Sequence, residues 1–162
     1  MQTHRIAATQ RLAVPQDEAW AFFSDPENLR EITPPDLDFQ VRVPLPPAIH
    51  QGLIVAYTIR PFLGRTVGWL TEITTVDEPR YFVDEQRMGP FALWHHQHTL
   101  TAVDSGTEVR DLVTYAMRGD PVSRPLHGPV VQPRLRQIFA YRRHALARRF
   151  GELPGDRDLS LS

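Results

Sequence analysis

The chain has 162 residues, of which 41% are hydrophobic and 23% are charged, a composition typical of one globular domain with a sizeable core. It contains no cysteine, and all 18 basic residues are arginine, which excludes disulfides, thiol nucleophiles, thiolate-bound metals and lysine chemistry. The formal net charge of −1 argues against a dedicated nucleic-acid partner.

The first part of the chain predicts one strand followed by two short helices. Residues 6–14 alternate in a pattern that is typical of a strand, and residues 15–23 carry apolar side chains at helical spacing. A second short helix is expected to begin at Pro26, where the missing N–H costs nothing, with Asp25 as its cap. It should end near Ile32, since two prolines follow.

The middle of the chain predicts six consecutive strands. Alternating segments are separated by short turns rich in Pro, Gly, Asp and Ser. The strands are expected at residues 37–43, 53–60, 66–76, 80–88, 92–103 and 107–117. Because their connections are short, they should form an antiparallel meander.

The last part of the chain predicts one long amphipathic helix over residues 130–150. Its apolar side carries Leu135, Ile138, Phe139, Leu146 and Phe150. We expect a single domain over residues 1–152, followed by a flexible tail over residues 153–162. The pattern therefore predicts an α+β fold, in which a curved antiparallel sheet of seven strands wraps around the long helix and leaves a cavity between them.

The element order and several short motifs resemble the superfamily of START domains, Bet v 1-like proteins and polyketide cyclases/dehydrases (SRPBCC), which share the helix-grip fold. The matching residues are Val14-Pro15, Trp20-Ala21-Phe22, Pro26-Glu27-Asn28-Leu29, Trp69-Leu70-Thr71-Glu72-Ile73, Gly89-Pro90-Phe91, Trp94-His95-His96-Gln97-His98, Gly106-Thr107, Arg110-Asp111 and Ile138-Phe139-Ala140-Tyr141-Arg142. These motifs resemble those of a bacterial ligand-binding subgroup that is sometimes labelled cell-division-inhibitor-like. The resemblance covers residues 4–150 and implies a fold rather than one activity.

Strand parity places an unusual polar set on the inner face of the predicted sheet. Most large aromatic and aliphatic strand residues share this face, and so do Asp84, Gln86, His96, His98 and Asp111. A turn near residues 104–106 would place Asp111 opposite or diagonal to His98, within hydrogen-bonding reach.

Four interpretations of this polar set stay open. It could brace the sheet, recognise a polar group of a ligand, or perform acid–base catalysis through His96 or His98 with Asp84 or Asp111. It could also hold a metal ion on His96 and His98 with one of the aspartates. The superfamily that the chain resembles generally works without metal, so we expect no metal and no other cofactor. We assign no catalytic residue.

Our functional prediction is that a small hydrophobic or amphipathic, lipid-like molecule binds in the cavity. The expected ligand-binding residues are Tyr57, Trp69, Thr71, Asp84, Gln86, Trp94, His96, His98, Asp111, Tyr115 and Phe139. The alternatives are a cyclase/dehydratase-type enzyme with a His/Asp pair, and a regulatory protein that acts through a protein partner. Since the sequence contains neither an apolar signal segment nor a run of about 18 apolar residues, we expect a cytoplasmic location without a membrane span.

Overall fold

The computed structural model describes residues 2–62, 64–119, 127–155 and 158–162. Strand β1 (Thr3–Leu12) is followed by helix α1 (Gln16–Ser24) and two 3₁₀ helices (Pro26–Arg30 and Pro35–Leu37). The next strands are β2 (Gln40–Val41), β3 (Ile54–Phe62), β4 (Arg65–Asp77), β5 (Tyr81–Met88), β6 (Phe91–Val103) and β7 (Gly106–Met117). The later elements are a π-helical segment (His127–Val131), the long helix α2 (Gln132–Phe150) and strand β8 (Asp158–Leu161).

The strands form one curved antiparallel sheet in the order β2-β3-β4-β5-β6-β7-β1-β8. Strands β2 to β7 are neighbours in chain order, which confirms the predicted meander. On the outer face, Arg87 pairs with Glu72 and Glu85, and His95 pairs with Glu85. These charged pairs confirm which face of the sheet is turned away from the core.

The N-terminal elements follow the predicted order, with shorter bounds in two places. Asp25 caps the first 3₁₀ helix, because its Oδ1 atom accepts a hydrogen bond from the backbone N–H of Glu27 at 3.0 Å. The strand expected at residues 37–43 is reduced to two residues. A second 3₁₀ turn ends at Leu37, and Asp38 has a left-handed backbone with φ of 47°, so pairing begins only at Gln40.

The segment expected to be a flexible tail, residues 153–162, ends in a strand in the structure. Residues 156 and 157 lie outside the described residues. Strand β8 pairs with β1, and Ser162 exchanges two backbone hydrogen bonds with Arg5 at 2.8 and 3.0 Å. Leu159 and Leu161 alternate with polar residues and pack against the core. The sheet therefore has eight strands rather than seven.

The core lies between the sheet and α2, where Leu135, Phe139, Ala145 and Leu146 are buried. It has two main parts. One contains Trp20, Phe82 and Leu146, and the other contains Trp69, Trp94 and Phe139. Among the described residues, no helix is long and apolar enough to cross a membrane.

Candidate functional site

An internal cavity of about 200 Å³ lies between the inner face of the sheet, the N-terminal half of α2 and the segment after α1. This volume exceeds several-fold the roughly 30 Å³ that a water molecule occupies in the liquid. Its walls are largely aromatic and aliphatic, and the aromatic lining residues are Phe22, Phe23, Phe39, Tyr57, Trp69, Phe82, Phe91, Trp94 and Phe139. A lining of this kind suits a small molecule with an apolar body.

Most of the residues that the sequence singled out lie at this cavity. They are Tyr57, Trp69, Thr71, Asp84, Trp94, His96, His98 and Phe139. The hydroxyl oxygen atoms of Tyr57 and Thr71 lie 3.5 Å apart, and burial raises the pKa of Tyr57. Their contact with a ligand stays a prediction.

Three further predicted residues belong to the surroundings of the cavity rather than to its described lining. Gln86 binds both backbone polar groups of Phe91 through its side-chain amide, and so closes the β5–β6 hairpin. Tyr115 is fully buried, and its hydroxyl lies 2.8 Å from Nε2 of His127. Asp111 is not part of the described lining and contacts the imidazoles of His96 and His98.

Two strand pairings bring the four ionisable residues of the inner face together. His96 and His98 project from the same face of β6 because they are two residues apart. His96 lies opposite Asp84 of β5, and His98 lies opposite Asp111 of β7. The register predicted for Asp111 and His98 is therefore confirmed, and we call these four residues the Asp–His cluster.

Each imidazole of the Asp–His cluster lies between the two carboxylates. Nε2 of His96 and Nδ1 of His98 lie 3.0 and 2.9 Å from Oδ1 of Asp111. The other nitrogens, Nδ1 of His96 and Nε2 of His98, lie 3.3 and 2.8 Å from Oδ2 of Asp84. Phe82 stacks on His98 with ring centroids 4.0 Å apart, which fixes the orientation of that imidazole.

Arg142 of α2 completes the site; it belongs to one of the family-like motifs but was not among the predicted site residues. Its Nη2 atom lies 3.3 Å from both Oδ1 of Asp111 and Nδ1 of His98. A signal for Arg142 is present in the sequence: it follows Leu135 and Phe139 at spacings of seven and three residues, on the apolar side of the helix. A charged residue in that stripe must find a buried partner.

The cluster holds its carboxylates ionised. Burial alone would raise the pKa of Asp84, but His96 and His98 outweigh it and hold the pKa below its usual range. Burial would likewise raise the pKa of Asp111, but Arg142 and the two imidazoles hold it well below its usual range. Burial would lower the pKa of His96, and the two aspartates outweigh that effect and raise it.

Two buried N–H donors at the cavity have no hydrogen-bond partner among the described residues. They are Nε1 of Trp69 and Nε of Arg142, and both side chains line the cavity. A buried donor without an acceptor costs about 1–3 kcal/mol. Both nitrogen atoms are themselves buried, so an acceptor oxygen in the cavity would reach either of them only after a movement of the side chain.

Comparison with known proteins assigns the family. The family described as polyketide cyclase / dehydrase and lipid transport matches residues 3–151. The chain belongs to this family. The assignment confirms the superfamily resemblance that the sequence motifs carried.

Solved structures of similar fold confirm the architecture. The Zhui aromatase/cyclase from Streptomyces sp. R1128 is similar with a TM-score of 0.72 at 14% identity, over 91% of this chain and 93% of that chain. A protein from Chromobacterium violaceum gives a TM-score of 0.68 at 14% identity, over 93% and 99% of the two chains. Ara h 8.0201 gives 0.60 at 20% identity, over 90% and 99%. No curated protein matches the chain.

Proposed function

We propose that the protein binds a small hydrophobic or amphipathic molecule in its internal cavity. The apolar part of the ligand lies against the aromatic walls, and its polar group points to the Asp–His cluster and Arg142. The observation that carries this proposal is the combination of an apolar cavity with the ionisable groups of its lining, which are those of Asp84, His96, His98 and Arg142.

The guanidinium of Arg142 in the cavity lining favours a ligand with acceptor oxygens. An oxygen near this guanidinium would accept a charge-assisted hydrogen bond, and a movement of Trp69 would let its buried indole N–H donate to a second oxygen. The rest of the ligand would be stabilised by roughly 25 cal/mol per Å² of apolar surface that it buries. The family description, which includes lipid transport, supports a ligand of this class.

A second candidate function is cyclase/dehydratase-type catalysis in the same cavity. It is favoured by His96, whose imidazole lies at the cavity between two carboxylates that can orient and charge it. In such an enzyme His96 would move a proton beside a carbonyl group of the substrate. The name of the Zhui aromatase/cyclase supports this candidate at the level of fold.

A pair of adjacent substitutions on β3 tests ligand binding. Val55 is buried and lines the cavity, whereas the neighbouring Ile54 is 42% exposed on the other face of the sheet. Val55→Phe should fill part of the cavity, and Ile54→Phe places the same aromatic side chain outside it. The probe is 1-anilinonaphthalene-8-sulfonate, with its fluorescence followed on binding and near-UV circular dichroism as the check of folding.

We expect the wild type and Ile54→Phe to bind one probe molecule per chain with similar affinity. Val55→Phe should bind it at least about tenfold more weakly, because about 1.4 kcal/mol of lost contact or added strain is sufficient for that change. Equal affinity in Val55→Phe and Ile54→Phe, with both variants folded, would contradict binding in the cavity.

A further inference from the structure

Two imidazole nitrogens of the Asp–His cluster, Nδ1 of His96 and Nε2 of His98, lie close to the same carboxylate oxygen of Asp84. We call them the inner nitrogens. Oδ2 of Asp84 lies 2.8 Å from Nε2 of His98 and 3.3 Å from Nδ1 of His96. One ligand atom from each of these three residues lies within 4.8 Å of the other two. Ligand atoms about 2.0–2.2 Å from a common metal ion, at right to tetrahedral angles, are about 2.8–3.5 Å apart. The two measured separations fall in this interval.

The other two imidazole nitrogens, which we call the outer nitrogens, face the carboxylate of Asp111. In many metal sites the non-coordinating nitrogen of a histidine faces a carboxylate in this way. Nε2 of His96 and Nδ1 of His98 lie about 3 Å from Oδ1 of Asp111, which Arg142 contacts in turn. When each imidazole directs its N–H to Asp111, the lone pair of the inner nitrogen points towards the ionised Asp84. In that arrangement a positive species between the inner nitrogens and Asp84, a proton or a metal ion, would be stabilised.

Charge and access also favour a cation at this position. In the part of the chain that the structure describes, the two carboxylates are opposed by one permanent positive charge, that of Arg142, so the cluster has a deficit of positive charge when its histidines are neutral. The side chain of Asp84 is 18% exposed, and all three inner residues line the cavity. A metal ion can therefore enter from the cavity, and at least one coordination position would face it.

From this geometry we propose that Asp84, His96 and His98 bind one divalent first-row transition-metal ion, with Asp111 orienting both imidazoles. Two imidazoles and one carboxylate are a donor set that Zn²⁺ and Fe²⁺ accept. This proposal departs from the expectation of no metal stated in the sequence analysis. It goes beyond the proposed function, since the cavity can bind an organic ligand whether or not a metal is bound.

The test uses tag-free protein that has been stripped with a chelator and then titrated with Co²⁺ and with Zn²⁺. We expect one ion per chain, visible d–d absorption bands of the Co²⁺ form, and a melting temperature about 5–10 °C higher at a free metal concentration a hundred times the Kd. Asp84→Asn and His98→Gln should weaken binding at least about 100-fold, because loss of an orienting partner alone costs 10–100-fold.

His95→Gln is the matched control, since His95 is adjacent on β6 but projects from the outer face towards Glu85. It should retain wild-type affinity. Zn²⁺ should also shift the amide NMR signals of residues 84, 96 and 98 in the wild type, a readout that does not depend on any variant being folded. The absence of stoichiometric binding, unchanged affinity in folded Asp84→Asn, an equal loss in His95→Gln, or amide shifts centred elsewhere would each overturn the proposal. Probe binding by the Val55/Ile54 pair in metal-free protein reports on the proposed function separately.

Discussion

Removal of the charge of Asp111 tests whether the Asp–His cluster stabilises the fold. The Asp111 side chain is 8% exposed and lies within 3.3 Å of atoms of His96, His98 and Arg142. In Asp111→Asn the shape is nearly unchanged, but the guanidinium of Arg142, which is 11% exposed, loses the negative charge beside it. The new amide also presents an N–H group to nitrogens that need an acceptor.

The expected cost follows from burial. Breaking a buried ion pair by removing one partner costs about 3–5 kcal/mol, because the remaining charge stays desolvated. For a chain of this length about 1 kcal/mol corresponds to roughly 2–4 °C, so the melting temperature should fall by about 6–20 °C. The measurements are urea unfolding and thermal unfolding, each followed by tryptophan fluorescence and far-UV circular dichroism in the presence of a chelator.

The control is Glu108→Gln on the same strand. Glu108 pairs with Arg11 at 2.9 Å on the outer face, where the two side chains are 29% and 36% exposed. A pair of this kind contributes less than about 1 kcal/mol. If Asp111→Asn unfolds at the same urea concentration as Glu108→Gln, the cluster does not stabilise the fold and this reasoning is refuted.

Two further predictions concern the packing at the sheet end and at His127. Gly106→Ala should lower the free energy of unfolding by about 1–3 kcal/mol, because a Cβ atom at this position would overlap the carbonyl oxygen of Leu12. An unchanged urea midpoint would contradict this close approach. Burial and the neighbouring His4 lower the pKa of His127, whose Nε2 contacts the hydroxyl of Tyr115, so the folded state favours the neutral imidazole. The contribution of neutral His127 to the free energy of unfolding should be complete above about pH 6.5 and should be lost as the pH falls through the pKa of His127 in the folded state. His127→Gln should remove this part of the pH dependence. Parallel curves of unfolding free energy against pH for the wild type and the variant would contradict the prediction.

The sequence predicted the part of the site that depends on strand parity. Because side chains alternate strictly along a strand, His96 and His98 had to share a face, and a short hairpin fixed the position of Asp111 across from them. The same parity placed Asp84 on the inner face, next to His96. These relations are local in the sheet, so no knowledge of the long helix was required.

The sequence predicted less where the packing of distant segments decides the outcome. Arg142 reaches the cluster because α2 turns its apolar side to the sheet, and although the position of Arg142 on that side predicts a buried partner, it does not say which residue the partner is. Gln86 has the correct parity, but its amide is satisfied by Phe91 at the hairpin instead of facing the cavity. The alternation of Leu159 and Leu161 was a usable signal for β8, although composition alone favoured a tail.

Native mass spectrometry measures directly whether the cavity holds a small molecule. The protein is purified, incubated with a bacterial lipid extract, separated from excess extract, and measured under native and denaturing conditions. We expect an additional mass of a few hundred daltons that is present in the wild type and in Ile54→Phe, absent in folded Val55→Phe, and lost on denaturation. A native mass equal to that of the polypeptide alone, or an additional mass that Val55→Phe retains in full, would contradict ligand binding in this cavity.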